Sequence, residues 1–337
     1  MGKMNFFHDI KKACRRSLLL AAIVLSTAGL ANAQSKETMT DYQNQLQQLF
    51  DRVANAPTDN ERYNANELAV QLFEEALKQE NSFFWKWQFG NQVSVLTSSD
   101  KQFRIITWAV IRDNGEWECF GFVQSYNSKN EDYDVYVLND MSDEIISREE
   151  VVLGPENWLG SVYQELIETK HEGRMYYTLL GWTGCNNLTQ RKVIEPICFR
   201  ASSSKPQFGQ PLFRREKNLR RVVLEYARGA MVNVRFDEQT VRTFENKKVK
   251  KKGRVYNVQV QHEEKMKMIL FDEVAPMLPG MEGLYSQYVP TGTELAYLFV
   301  NGRWELRDNA EGRLADPKLN KEFEPLPKNA PAYKVEK

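Results

Sequence analysis

The feature that most constrains this chain is the texture of everything after Glu80. Short runs rich in aromatic and β-branched residues are interrupted every few positions by Gly, Asn, Asp, Pro or Ser. Branched and ring side chains pack well on a pleated surface, and the interrupting residues suit turns. The boundaries predict strands near 83–89, 92–97, 103–111, 117–125 and 133–138, then near 160–168, 174–182, 191–199, 219–227 and 230–236. Further strands are expected near 254–261, 266–272, 284–288, 295–300 and 303–307. Asn114-Gly115, between Ile111 and Trp117, and Asn301-Gly302, between Phe299 and Trp304, supply the residues that accept the positive φ of tight hairpins. Strands joined this closely run antiparallel. No stretch after Glu80 has the helical period and length of a crossover helix, which argues against a parallel α/β sheet. A propeller is disfavoured because no repeat of roughly 40 to 50 residues recurs.

Ahead of this body, residues 34–80 read as a helical hairpin. Tyr42, Leu46, Leu49, Phe50 and Val53 recur at helical spacing, as do Leu68, Leu72, Ala76 and Leu77 after a break at Ala56-Pro57. Thr58 and Glu61 fit a capping box. Two short amphipathic helices need another surface on which to bury their stripes. The expected fold is therefore mainly β with N-terminal helices: an antiparallel, sandwich-like or strongly curved sheet body over 81–309, with the helical hairpin packed on it. Residues 310–337 form a Pro- and charge-rich tail.

Residues 1–33 have the three parts of a secretory signal peptide. Lys3, Lys11, Lys12, Arg15 and Arg16 precede the apolar run Leu18 to Leu30, and Ala31-Asn32-Ala33 precedes Gln34. The run is shorter than the roughly 20 residues a membrane-spanning helix needs, so cleavage between Ala33 and Gln34 is expected, with no membrane span afterwards. Cleavage takes five basic residues and one acidic residue from balanced totals of 45 and 45. The mildly acidic remainder argues against nucleic acid as a partner.

Catalytic signatures are scarce. Outside the leader only His171 and His262 occur, without the spacing of a zinc site, and no metal or cofactor motif is present. Neither a phosphate-binding glycine loop nor a G-x-S-x-G elbow appears. Cys119, Cys185 and Cys198 form no disulfide framework. Paired carboxylates, which suffice for glycoside hydrolysis, are the one catalytic option left open.

Two charge clusters and three tryptophans are the remaining leads. Lys247, Lys248, Lys250, Lys251, Lys252 and Arg254 crowd one expected hairpin end and form a candidate patch for a polyanion. Glu131, Asp132, Asp134, Asp140, Asp143, Glu144, Glu149 and Glu150 crowd another segment. Trp85 and Trp87 would share one face of a strand, and with Trp182 they are the candidate ligand platform.

Tyr176 to Trp182, followed by Asn186-Asn187 and Arg191-Lys192-Val193-Ile194, resembles a family of uncharacterised exported proteins of Bacteroidetes. Arg220 to Tyr226, Ile269 to Pro276 and Tyr288-Val289-Pro290 resemble later motifs of that family in the same order. The resemblance implies an exported protein of a Gram-negative cell, periplasmic or secreted, and carries no activity, cofactor or catalytic residue with it. The chain departs from the family pattern at Thr183, where an acidic residue follows Gly-Trp, and at Glu273, often a histidine. Taken together, these readings anticipate a non-catalytic binding or structural module whose partner is an envelope protein or glycan. The alternative is a glycan- or peptidoglycan-directed hydrolase using paired carboxylates. N-terminal sequencing of the exported form should begin at Gln34; a retained Met1 would overturn the leader assignment.

Overall fold

The computed structural model describes residues 38–200, 203–214, 218–251 and 254–307, with side chains described throughout except over 242–261. The expected leader, its cleavage point at Ala33 and Gln34, and the 310–337 tail lie outside the described residues.

Strand β2 (Phe103–Ile111) shows how the molecule is layered. Its side chains alternate between two faces, and both faces are buried. Phe103 and Ile105 point one way, into a cluster shared with Tyr163, Leu179 and Val193. Ile106, Trp108 and Val110 point the other way, into a cluster with Leu46, Phe50, Phe73 and Ala76 of the helices. A strand covered on both sides reads as a continuous apolar run, and Phe-Arg-Ile-Ile-Thr-Trp-Ala-Val-Ile is nearly that.

The first layer is the helical hairpin, α1 (38–55) and α2 (Asp59–Leu77). Thr58 caps α2 by accepting from the Glu61 amide at 3.4 Å, and its hydroxyl donates to the Glu61 carboxylate at 2.9 Å. The second layer is β1 (Ser94–Thr97), β2, β3 (Trp117–Asn127) and β4 (Asp132–Asn139), paired in chain order. The third comprises β5 (Val162–His171), β6 (Arg174–Thr183), β7 (Thr189–Phe199), β8 (Pro206–Phe208) and β9 (Val222–Ala227). The fourth comprises β10 (Val234–Lys251), β11 (Arg254–Pro276), β12 (Tyr288–Val300) and β13 (Arg303–Arg307). All strand pairings within these sheets are antiparallel. The third and fourth layers share a core in which Ile194, Leu224, Ile269, Tyr297 and Trp304 meet. Among the described residues strands account for 48% and close no barrel, so the body is sandwich-like, with two N-terminal helices packed on antiparallel sheets.

In the third layer, β8 and β9 share one edge of β7. β9 pairs with Thr189 to Ile194, and β8 pairs with Ile197 to Phe199. Glu195 and Pro196 stand at the changeover, where a residue without an N–H interrupts no ladder on that side. The Pro196 carbonyl accepts instead from Gly209 N at 2.7 Å.

Three strand expectations need correction. Residues 83–89 form a short 3-10 turn, Ser82–Phe84, followed by unpaired extended chain. Arg104, only 2% exposed, reaches across from β2 and donates to the carbonyls of Trp85 at 2.8 Å and Ser82 at 3.0 Å, giving that segment the partners a ladder would have supplied. Burial pushes the Arg104 guanidinium down to about 9, which leaves it charged at neutral pH. The runs near 230–236, 254–261 and 266–272 merge into one long hairpin, β10 with β11, in register from Val234↔Phe271 to Lys251↔Arg254. Residues 284–288 hold a 3-10 turn, Tyr285–Gln287, that leads directly into β12.

Trp304 is fully buried and its indole N–H donates to Thr178 Oγ1 at 3.0 Å, so it joins the third and fourth layers. Trp304→Ala should destabilise the chain by about 3–5 kcal/mol, read from the denaturant midpoint. A loss under about 1 kcal/mol would show that the fourth layer is held elsewhere.

Candidate functional site

The site forms where hairpin ends from two layers meet. The turn before β3 brings Trp117 to the end of the second layer, and the β6–β7 turn brings Gly184, Cys185 and Asn186 to the end of the third. Trp117 N donates to Cys185 O at 2.9 Å, tying the two layers together. A Cβ at Gly184 would collide with the Trp117 indole, so the ring lies directly on that turn because Gly184 has no side chain. Cys185 takes a positive φ of 42°. Asn186 Oδ1 accepts from Leu188 N at 2.8 Å and Thr189 N at 2.9 Å, closing the turn. Arg228 then donates to the carbonyls of Gly184 at 2.7 Å and Asn186 at 3.2 Å, and its guanidinium sits 5.8 Å from the Trp117 ring.

Three adjoining cavities open around this joint, of about 340, 550 and 520 Å³. The first and second share Arg112 and Trp117, and the second and third share Gln164 and Trp182. Trp117 and Trp182 stand edge to face with centroids 4.8 Å apart, each half-buried. These three adjoining cavities, with the tryptophan pair at their middle, make up the candidate groove.

Charged groups dominate the first cavity, and most are already paired. Glu118 accepts from the Tyr63 hydroxyl at 2.6 Å and from Arg112 at 3.1 Å. Burial, followed by this acceptor, pushes the Tyr63 hydroxyl up to about 12, so it stays a donor at neutral pH. Glu225 accepts from Arg148 at 2.8 Å and from Thr189 Oγ1 at 2.9 Å. Asp140 accepts from the amides of Cys119 at 2.9 Å and Ser142 at 3.0 Å. Asp143 and Glu144 are exposed at the rim. Arg191 differs from its neighbours. It is 3% exposed, and its Nη2 donates to the carbonyls of Leu159 at 2.9 Å and Gly160 at 3.2 Å. It has no carboxylate partner among the described residues, and its Nε has no hydrogen-bond partner at all. Among the described residues no group of three or more His, Cys, Asp and Glu is placed to hold a metal ion.

Of the three tryptophans singled out in the sequence, Trp182 lies in the groove. Trp85 and Trp87 do not join it: Trp87 is 6% exposed, packed 4.9 Å from Phe73 between helices and sheet, and Trp85 stands half-buried beside it at 6.4 Å. The acidic segment divides, with Asp140, Asp143 and Glu144 reaching the groove while Asp132 and Asp134 sit on β4. The backbone puts Lys247, Lys248, Lys250, Lys251 and Arg254 at the closed end of the β10–β11 hairpin. Their side chains, and Lys252 as a whole, lie outside the described residues. Sequence reasoning missed Trp117, Arg112, Arg148, Arg191 and Glu225. For Arg191 a signal existed: it alternates in phase with Val193 and Ile197, both on the buried face of β7.

Among the described residues no helix is long and apolar enough to cross a membrane. Compared with protein-family models, curated proteins and solved structures, the chain matches none of them.

Burial raises the Cys185 thiol above its ordinary value. A raised value means less thiolate at a given pH, so iodoacetamide at pH 8 should label Cys185 more slowly than free cysteine, with the gap narrowing as pH rises. Labelling as fast as free cysteine would show that the turn does not stay packed.

Proposed function

We propose that this chain is an exported envelope protein that binds an extended saccharide along the groove, without catalysis. The observation that carries the reading is the tryptophan pair at the junction of three contiguous cavities. Saccharides present apolar C–H faces to aromatic rings and ring hydroxyls to polar side chains, and half-buried indoles flanked by charged and amide groups offer both. Three cavities side by side suit a chain of sugar units better than a single small molecule. Export rests on the leader-like first 33 residues and on the resemblance to exported Bacteroidetes proteins, which together argue for an envelope glycan as the ligand.

The acids of the first cavity support binding over hydrolysis. Glu118, Glu225 and Asp140 each accept hydrogen bonds from a cation, a hydroxyl or backbone amides. Groups held in this way position donors. A glycosidase acid must instead keep a proton to give to the leaving oxygen.

Calorimetry of the chain from Gln34 onward with cellohexaose, chitohexaose and soluble peptidoglycan fragments tests the reading. At least one should bind, and Trp117→Ala and Trp182→Ala should each weaken it by about tenfold. Absence of binding to all three, or unchanged affinity in both variants, would overturn it. Turnover of any of them would move the protein to the hydrolase reading.

A further inference from the structure

Arg191 is the group in the groove whose surroundings are incomplete. A guanidinium carries five N–H donors and a charge that it keeps at any physiological pH. Placing it at 3% exposure removes most of its hydration, and a buried cation is normally compensated by an anion. Here two neutral carbonyls, those of Leu159 and Gly160, occupy Nη2. Asp140 is close, since a side chain at Gly160 would strike its carboxylate, yet its oxygens take the Cys119 and Ser142 amides. Arg112 and Arg148, the other cations of the first cavity, already hold Glu116, Glu118 and Glu225. Of the three arginines lining this cavity, Arg191 is thus the one whose charge no side chain has taken. Among the described residues no hydrogen bond engages Nη1, and the side chain lines the first cavity.

We propose that the first cavity is a subsite for a sugar acid, and that Arg191 receives the carboxylate of one uronate-type unit of the bound saccharide. This deepens the saccharide reading and rests on it. A carboxylate there forms a charge-assisted bond in a partly desolvated setting, where such bonds are strongest. The rim sets a second condition. Asp143 and Glu144 are exposed at the mouth without described cationic partners, so the approach is negative and a dense polyanion is repelled. The subsite admits one inward carboxylate and rejects a string of them.

Wild-type chain from Gln34 onward is titrated with a glucuronic-acid-terminated hexasaccharide, the matched glucose-terminated one, a heparin hexasaccharide and an N-acetylated dipeptide with a free carboxyl end. The glucuronate should bind at least about tenfold more tightly than its glucose counterpart, with heparin weak. Arg191→Gln should abolish the difference, the ratio of the two affinities measured in the same variant falling to about one. Comparing two ligands on wild-type protein requires no variant to fold, so a destabilised Arg191→Gln leaves the test intact. Equal affinity for the two hexasaccharides overturns the sugar-acid subsite and leaves saccharide binding standing. Binding of heparin in preference to the single uronate overturns it as well. If only the dipeptide binds, the saccharide reading and the subsite both fail.

Discussion

One buried ion pair ties the third layer to the irregular segment that walls the groove. Glu195 on β7 and Arg221, just ahead of β9, are both fully buried, with Arg221 Nε donating to Glu195 at 2.5 Å. Tyr163 on β5 donates to the second carboxylate oxygen of Glu195, and Trp158 donates to the Tyr163 oxygen at 2.9 Å. Burial, reinforced by the Glu195 charge, pushes the Tyr163 hydroxyl well above the ordinary tyrosine value and keeps it a donor. The remaining Arg221 donors hold the carbonyls of Arg148, Val151 and Phe208. Two charges removed from water are tolerated only when nearly every donor and acceptor is met, and this network comes close to meeting them.

The pair matters for the groove because of what it fixes. The segment from Asp140 to Trp158 carries no long regular element, so its backbone polar groups need partners from outside a ladder. Arg221 supplies partners at Arg148 and Val151, and bridges at Asp140↔Trp158 and Leu153↔Phe208 supply others. Arg148 and Asp140, which line the first cavity, are thereby placed by side chains buried in the body. The groove wall is irregular in backbone but tied to the core at both ends.

The sequence revealed the layers more readily than their joints. Periodicity near Leu46 and Leu72 located the helices, and Asn114-Gly115 and Asn301-Gly302 located two hairpins, because those signals are local. Positive φ at Gly115, Asn301 and Gly302 confirms the turn chemistry. Trp85 and Trp87 misled, since alternation presumes a ladder and Arg104, about 20 residues downstream, took its place. Trp117 escaped notice because its role depends on meeting Gly184 from another sheet, and no window of sequence contains both. The inward row Thr189, Arg191, Val193, Glu195, Ile197 was legible as an anomaly: two charges on a buried face demand partners. One has found its partner within the fold in Arg221, and the other has not.

The shared edge of β7 also bears on how such a chain can change over evolutionary time. Because β9 and β8 each pair with their own stretch, and Pro196 marks the boundary, neither register constrains the other. Between Phe208 and Val222 the chain is tied at Gly209, at Leu212 and Arg214, which exchange backbone bonds with Trp304, and at Arg221, so a change of length that leaves every side chain on its own face has to fall between these ties. A chain with this body has room to vary in length there only between those ties, whereas the inward row of β7 has no such room.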